Sequence, residues 1–147
     1  MFISQTAEYA IRAMSAIATL PEGIKIRATD LGRATGIPAP YLSKILRRLV
    51  LAELLVSQKG QGGGFALARP AVETPFIDIL NAIDAFPTDG RCAFGWGSCD
   101  QISPCPLHDA WSRLSHHIRD WANDTNLAEV ATAAKDDQRV QLFPDLG

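Results

Sequence analysis

A glycine-rich hexapeptide at residues 59–64, Lys-Gly-Gln-Gly-Gly-Gly, restricts the possible folds of this chain more than any other segment. Short apolar runs flank it at residues 54–56 and 65–67. Glycine adopts positive φ values without steric cost, so this pattern predicts two short strands joined by a tight tip. Apolar residues elsewhere recur at helical spacing, and the sequence therefore predicts a mainly α fold with one small β-hairpin.

Two helices are predicted near the start of the chain. Ser4 is a suitable N-cap for a first helix that runs to about Leu20. Thr29 or Asp30 can cap a shorter second helix, which is predicted to end at Gly36 because glycine suits the left-handed turn after a helix. A turn follows immediately, so the next helix starts close to the end of this one.

Pro38 or Pro40 marks the start of a third helix, predicted to continue to about Leu51. Proline loses no hydrogen bond in the first turn of a helix. Aliphatic residues at positions 42, 45, 46 and 49 form a stripe that we expect to be buried. The opposite face is cationic and rich in hydrogen-bonding groups, and it carries Tyr41, Ser43, Lys44, Arg47 and Arg48.

Two helices joined by a tight turn, the second with a basic outer face, predict a helix-turn-helix whose second helix enters the DNA major groove. Ser43, Lys44 and Arg47 have side chains suited to base edges. Tyr41 and Arg48 are better suited to phosphates or the minor groove. An ordinary solvated surface is the alternative interpretation of each basic residue taken singly.

The glycine-rich hairpin then acts as a wing that adds a second contact with the duplex. Glycines allow close approach to a phosphate backbone or narrow groove, and Lys59 supplies positive charge. The residues of the wing predicted to contact DNA are Lys59, Gln61, Gly62 and Gly63.

Charge is distributed unevenly along the 147 residues, although the net charge is only -2. Residues 1–70 carry a net charge of +5 and residues 71–147 a net charge of -7, so the first part is suited to a polyanion such as double-stranded DNA.

No apolar run approaches the ~20 residues that span a bilayer, and the first residues lack a signal-peptide pattern, so we expect a cytoplasmic protein without membrane contact. No nucleophile with a matched base and no nucleotide phosphate loop is present, so an enzyme is not expected.

The cysteines, Cys92, Cys99 and Cys105, all lie within one short stretch. Their odd number argues against a disulfide framework, and their separations of six and five residues differ from the close pairs of zinc sites. An iron-sulfur cluster is the favoured hypothesis, with zinc as an alternative. His108 follows Cys105 by one helical turn and is a candidate fourth ligand.

Thr74 and Pro75 are predicted to cap and open a fourth helix, and a further helix is predicted from Pro106 to about Asn123. We therefore divide the chain into a DNA-binding domain (1–85), a cysteine loop (86–105), a dimerisation helix (106–130) and a flexible tail (131–147). The dimerisation helix carries a heptad pattern that fits either a second subunit or the core of the same chain. Its members are Leu107, Trp111, Leu114, Ile118 and Trp121.

Several of these stretches resemble the family of winged-helix regulators that includes the iron-sulfur cluster regulator and the nitric-oxide-sensitive repressor. The resemblance covers about residues 1–130. It implies a DNA-binding homodimer with crossing C-terminal helices, each cysteine loop lying close to the partner's winged domain. It also implies Glu8 as a rival fourth ligand, donated by the other subunit. The matching stretches are Ala7-Glu8-Tyr9-Ala10, Tyr41-Leu42 with Leu46, residues 59–65, and Cys105-Pro106-Leu107-His108.

The functional hypothesis is a transcription regulator, acting as a repressor at a pseudo-palindromic operator, whose DNA affinity depends on a [2Fe-2S] or [4Fe-4S] cluster. Such a cluster would sense redox state, nitric oxide or iron-sulfur supply. One alternative keeps the same fold but uses the cysteines as a cluster-free thiol switch. Another alternative is a redox or cluster-carrier protein in which the basic helix is incidental.

Overall fold

The computed structural model describes residues 3–86, 92–99 and 101–137. Within these residues the chain forms six α-helices, one β-hairpin and a 3-10 turn, which confirms the predicted mainly α fold with a small wing. None of the described helices is both long and apolar enough to cross a membrane. In chain order the elements are α1 (Gln5–Ala18), α2 (Ala28–Thr35), α3 (Ala39–Leu51), β1 (Leu55–Gln58), β2 (Gly64–Leu67), the 3-10 turn (Ala71–Glu73), α4 (Phe76–Ala82), α5 (His108–Asp124) and α6 (Leu127–Lys135).

The core lies where α1 packs against α2, α3, α4 and α6. The aliphatic stripe predicted for the third helix is confirmed, since all four of its residues are buried. Removing such side chains from water is the main favourable contribution to folding, at about 25 cal/mol per Å² of apolar surface. The largest fully buried side chains of the helical core are Met14, Leu31, Leu42, Leu46, Leu49, Ile79 and Leu127.

The wing is an antiparallel pair in which Leu55 lies opposite Leu67 and Gln58 lies opposite Gly64. It is attached to the segment between α1 and α2, because Ile26 and Phe65 form an isolated antiparallel bridge. This attachment holds the wing beside the helix-turn-helix, which is formed by α2 and α3.

Two predicted helix ends are confirmed by the capping groups. The Ser4 hydroxyl accepts a hydrogen bond from the backbone of Ala7 and caps α1. Gly36 follows α2 with φ of 71°, a left-handed conformation that residues with a Cβ rarely adopt.

The starts of α2 and α4 differ from the prediction. The N-cap of α2 is Arg27, not Thr29 or Asp30, and the preceding residue is fixed by its pairing with the wing. Pro75 occupies the N-cap position of α4, and Phe76 is the first residue of the helix instead of Pro75. The Thr74 hydroxyl does not cap α4, because it donates to the carbonyl oxygen of Pro70 at 3.0 Å.

The predicted end of the C-terminal helix at about Asn123 is confirmed, since the helix ends at Asp124, but the predicted dimerisation segment 106–130 is interrupted and the start of the predicted tail is helical. The first C-terminal helix begins at His108, and a break at Asn126 separates it from α6, which continues to Lys135 against α1. Asn126 starts α6 because its side chain accepts from the backbone of Ala128 and Glu129 in a capping box. The rest of the predicted tail, residues 138–147, lies outside the described residues.

Candidate nucleic-acid interface and metal centre

The outer face of α3 presents four of its five predicted DNA-contacting residues to solvent. Ser43, Lys44 and Arg47 are exposed. Tyr41 is 52% exposed and packs edge-on against Tyr9 of α1, with ring centroids 6.0 Å apart. The recognition surface is therefore cationic, carries hydroxyl donors, and is fixed at its N-terminal end by an aromatic contact.

Arg48 is the exception on this helix. Its guanidinium forms an ion pair with the carboxylate of Asp84, just beyond the end of α4. The side chain is only 37% exposed. A DNA phosphate would have to compete with Asp84 for this guanidinium. The ion pair connects α3 with the end of α4, a contact that the sequence did not predict.

The four predicted DNA-contacting residues of the wing fall into two groups. Lys59, Gln61 and Gly62 are exposed. Gly63 is buried, and a Cβ at this position would lie 2.3 Å from the carbonyl oxygen of Gln58. Gly63 therefore serves the close packing of the wing tip itself, whereas the other three are available to a ligand.

Lys25 and Arg27, between α1 and α2, were not predicted as part of this surface. The Lys25 amine donates a hydrogen bond to the side-chain oxygen of Gln58. A guanidinium nitrogen of Arg27 lies 3.4 Å from the carbonyl oxygen of Gly60. Each contact joins residues 33 positions apart, so the sequence showed the charges but not their place beside the wing.

The thiol and imidazole groups of the C-terminal half form two pairs. The sulfurs of Cys92 and Cys105 are 3.9 Å apart, and the Cys99 sulfur is 3.9 Å from Nδ1 of His108. All three cysteines are free thiols. Among the described residues, no three potential metal ligands converge on one point. Residues 87–91 and 100 of the predicted cysteine loop lie outside the described residues.

The separation of Cys92 and Cys105 is compatible with a weak hydrogen bond between two thiols and with shared ligation of one metal ion. A disulfide would require a sulfur-sulfur distance of about 2.05 Å. Two thiolates on one tetrahedral metal, each about 2.3 Å from it, lie about 3.8 Å apart. The observed 3.9 Å is close to that second value, and thiolate and imidazole donors are chemically suited to iron-sulfur units.

The local backbone favours the thiolate form of Cys92. The backbone N–H groups of Phe94 and Trp96, in that order of importance, hold the pKa of Cys92 below its ordinary value by hydrogen-bonding its sulfur. Partial burial acts in the opposite direction on this pKa, and the Cys105 thiol and the Gly95 N–H lower it further. Metal ligation requires the thiolate, and a lowered pKa makes that form of Cys92 more accessible.

Glu8 lies in the first turn of α1, where it forms an ion pair with Arg12. Arg12 also donates to the carbonyl oxygen of Thr35 at 3.3 Å, at the end of α2. Glu8 is thus connected through one side chain to the turn of the helix-turn-helix. It is not paired with His108, the rival candidate for the fourth ligand.

The apolar face of α5 is only partly covered. Ala122 is the one fully buried residue of this helix, while Leu107, just before it, is 37% exposed and Trp121 is 40% exposed. Trp121 packs edge-on against Phe76 of α4, with centroids 5.5 Å apart, and Trp111 packs against Phe94 at 5.7 Å. The helix is therefore attached at its C-terminal end and carries the cysteine loop at its other end.

Comparisons with known proteins agree with this architecture. Residues 3–133 match the Rrf2 family model, described as an iron-dependent transcriptional regulator. A helix-turn-helix-type transcriptional regulator of Mycobacterium tuberculosis is 37% identical over 146 residues, covering 99% of this chain and 90% of that protein. The solved structure of T. potens IscR has a TM-score of 0.74 at 20% identity, covering 92% of this chain and 90% of that one. CymR, the global cysteine regulator of B. subtilis, has a TM-score of 0.73 at 17% identity, with coverages of 89% and 96%.

Proposed function

Because the chain belongs to the Rrf2 family of iron-dependent transcriptional regulators, we propose that it is a homodimeric repressor whose affinity for pseudo-palindromic operator DNA is controlled by an iron-sulfur cluster. The observation that carries the proposal is the presence, in one chain, of an exposed cationic recognition helix and a pair of thiols at metal-binding distance.

In the proposed complex, α3 enters the major groove and the wing contacts the adjacent backbone or minor groove. Ser43, Lys44 and Arg47 are the residues that would contact base edges, because they are exposed on one face of α3. Lys59 and Gln61 would contact phosphates or the minor groove from the wing. Phosphate contacts fix the position of the protein, whereas the α3 contacts select the sequence.

The proposed dimer uses the partly covered face of α5. A second copy of this helix would cover the half-buried side chains of Trp111, Leu114 and Ile118, which recur at heptad spacing. Two-fold symmetry would then place two recognition helices against two half-sites of the operator.

The proposed cluster ligands are Cys92, Cys99 and Cys105, with His108 as the fourth. His108 is favoured because its Nδ1 already lies beside the Cys99 sulfur. Glu8 of a second subunit is the alternative, and it would have to leave Arg12. A bound cluster would supply one-electron redox chemistry and reactivity towards oxidants or nitric oxide, and an imidazole or carboxylate ligand would make it labile.

The chain itself offers a route from α1 to the recognition helix. Arg12 joins Glu8 to the carbonyl of Thr35, and Tyr9 contacts Tyr41 at the start of α3. A change in the position of α1 would therefore alter both the turn before α3 and its first residue. This is how the proposed ligand state would change the fit of two recognition helices to the operator.

The test is to measure DNA binding by anaerobically purified protein before and after cluster removal, on a duplex selected from a random library. We expect a clear change in affinity, together with iron and sulfide content and visible absorption in the loaded form. His108→Ala should lower cluster content, whereas His116→Ala, an exposed residue on the same helix, should not. Equal affinity of the loaded and cluster-free forms would refute control by the cluster.

A second candidate is a cluster-free thiol switch, favoured by the proximity of Cys92 and Cys105. The two sulfurs would need to approach by about 2 Å to form a disulfide, with an oxidant accepting two electrons and the two thiols losing their protons. Anaerobic protein without visible absorption, together with an intramolecular disulfide detected by mass spectrometry after oxidation, would support this candidate over the cluster.

A further inference from the structure

We infer that the segment between α1 and α2 forms a second binding site for DNA phosphates, in which Lys25 and Arg27 contact the backbone beside the groove that the wing contacts. This inference rests on the proposed DNA-binding function and extends it to residues outside the recognition helix and the wing. The ligand is the phosphodiester backbone of duplex DNA, recognised by charge and not by sequence.

The backbone pairing of the segment fixes where the two basic residues lie. Ile26 exchanges two hydrogen bonds with Phe65, its N–H donating at 2.9 Å and its carbonyl accepting at 2.7 Å. In an extended segment, successive side chains point to opposite sides. Ile26 is 3% exposed, so Lys25 and Arg27 both point away from the core, to the outer side of the wing attachment.

The positive charges of this segment have no acidic partner in the part of the chain that is described. Lys25 donates to the amide oxygen of Gln58, and Arg27 lies close to the carbonyl of Gly60. Both partners are neutral, in contrast to Arg33 of α2, which forms an ion pair with Asp30. Both side chains are exposed and remain available for an anion.

The neutral contacts also orient the two cations towards the wing. Gln58 is the last residue of β1 and Gly60 lies in the wing tip, immediately on either side of Lys59. Lys25 and Arg27 are thus two cations held beside the wing, at the residues that flank the exposed Lys59 in sequence. Phosphates are regularly spaced along a duplex, so a wing that contacts DNA brings this group to the neighbouring backbone.

The salt dependence of DNA binding tests this site. Each lost phosphate contact lowers the slope of log K against log salt concentration by about 0.9. In a dimer, Lys25→Gln or Arg27→Gln in the full-length protein should each reduce the slope by about 1.8, and the double substitution by about 3.6. Arg113→Gln, which removes the same charge from the exposed face of α5, should leave the slope unchanged.

The probe is a duplex selected from a random library by the wild-type protein, and a shorter version lacks the base pairs that flank the half-sites. On the shorter duplex we expect the variants and wild type to have equal slopes. Weaker binding of the variants to the long duplex with an unchanged salt slope would overturn the inference. It would mean that Arg27 stabilises the wing through Gly60 and does not contact a phosphate. If wild type selected no duplex at all, the proposed function itself would fail.

Discussion

Gly64→Ala is the substitution for which the structure gives the most definite expectation. Gly64 starts β2 with φ of 139°, a region that is essentially restricted to glycine. A Cβ at this position would lie 2.5 Å from the carbonyl oxygen of Ile26, well inside van der Waals contact. The same carbonyl accepts a hydrogen bond from Phe65, so it cannot move without disturbing the bridge that holds the wing.

The expected cost follows from these two effects. Opening the bridge loses two hydrogen bonds, each worth about 1 kcal/mol. Keeping alanine at this φ adds about 1–3 kcal/mol of backbone strain. We therefore expect the attached state of the wing to be destabilised by about 3–5 kcal/mol, most of it appearing as local detachment of the wing and not as unfolding of the helical core.

Gly62→Ala is the matched control, because its φ of 74° is also positive but no atom lies within 4 Å of the added Cβ. This change should cost only about 1–2 kcal/mol. Hydrogen exchange of the Ile26 and Phe65 amides reports wing attachment, and DNA affinity reports its consequence. Equal exchange rates in the two variants would refute the argument, since they would show that contact with the Ile26 carbonyl contributes nothing.

Three further predictions follow from α5, α6 and the cysteine loop. If the proposed dimer forms through α5, Leu114→Asp should shift it towards monomer in analytical ultracentrifugation, whereas Asn123→Asp on the exposed side of α5 should not. A dimer unchanged by Leu114→Asp would place the interface elsewhere. Asn126→Ala should lower the free energy of unfolding in urea by about 1 kcal/mol because α6 loses its capping box, and an unchanged value would contradict that role. In metal-free protein, the rate of Cys92 alkylation should reach half its maximum at a lower pH than for an ordinary cysteine thiol, because the pKa of Cys92 is lowered. A half-maximal rate at the ordinary pH or above it would contradict the backbone hydrogen bonds to its sulfur.

Local chemistry was sufficient to predict most of the fold. Side-chain periodicity within a short segment determines the buried stripe of α3. The backbone conformations that glycine allows determine the end of α2 at Gly36 and the tip of the wing. The break before α6 was also readable, since Asn126 and Glu129 have the spacing of a capping box. The heptad pattern placed the end of the preceding helix at about Asn123, close to Asp124 in the structure, but the helix that follows was not predicted.

Contacts between distant parts of the chain could not be predicted in this way. Arg48 has the same helical position and chemistry whether it contacts a phosphate or Asp84, and only the packing of α4 decides between them. Arg27 beside Gly60 is a similar case, because no local pattern connects a residue before α2 with the wing tip. The cysteine pairs were only partly foreseen: spacing predicted that Cys105 and His108 would be neighbours, but the structure pairs each with a different cysteine.

The ion pair of Arg48 gives the recognition helix a connection that does not pass through α1. Trp121 near the end of α5 packs on Phe76 at the start of α4, and Asp84 just after α4 holds Arg48 of α3. His108 lies thirteen residues before Trp121, about 20 Å along a helix that is stiff over this length. A displacement at the cysteine loop would therefore be carried by α5 to α4 and from there to α3 within one subunit. Arg48, which is paired with Asp84, would in this way influence how α3 is presented to the duplex without itself contacting a phosphate.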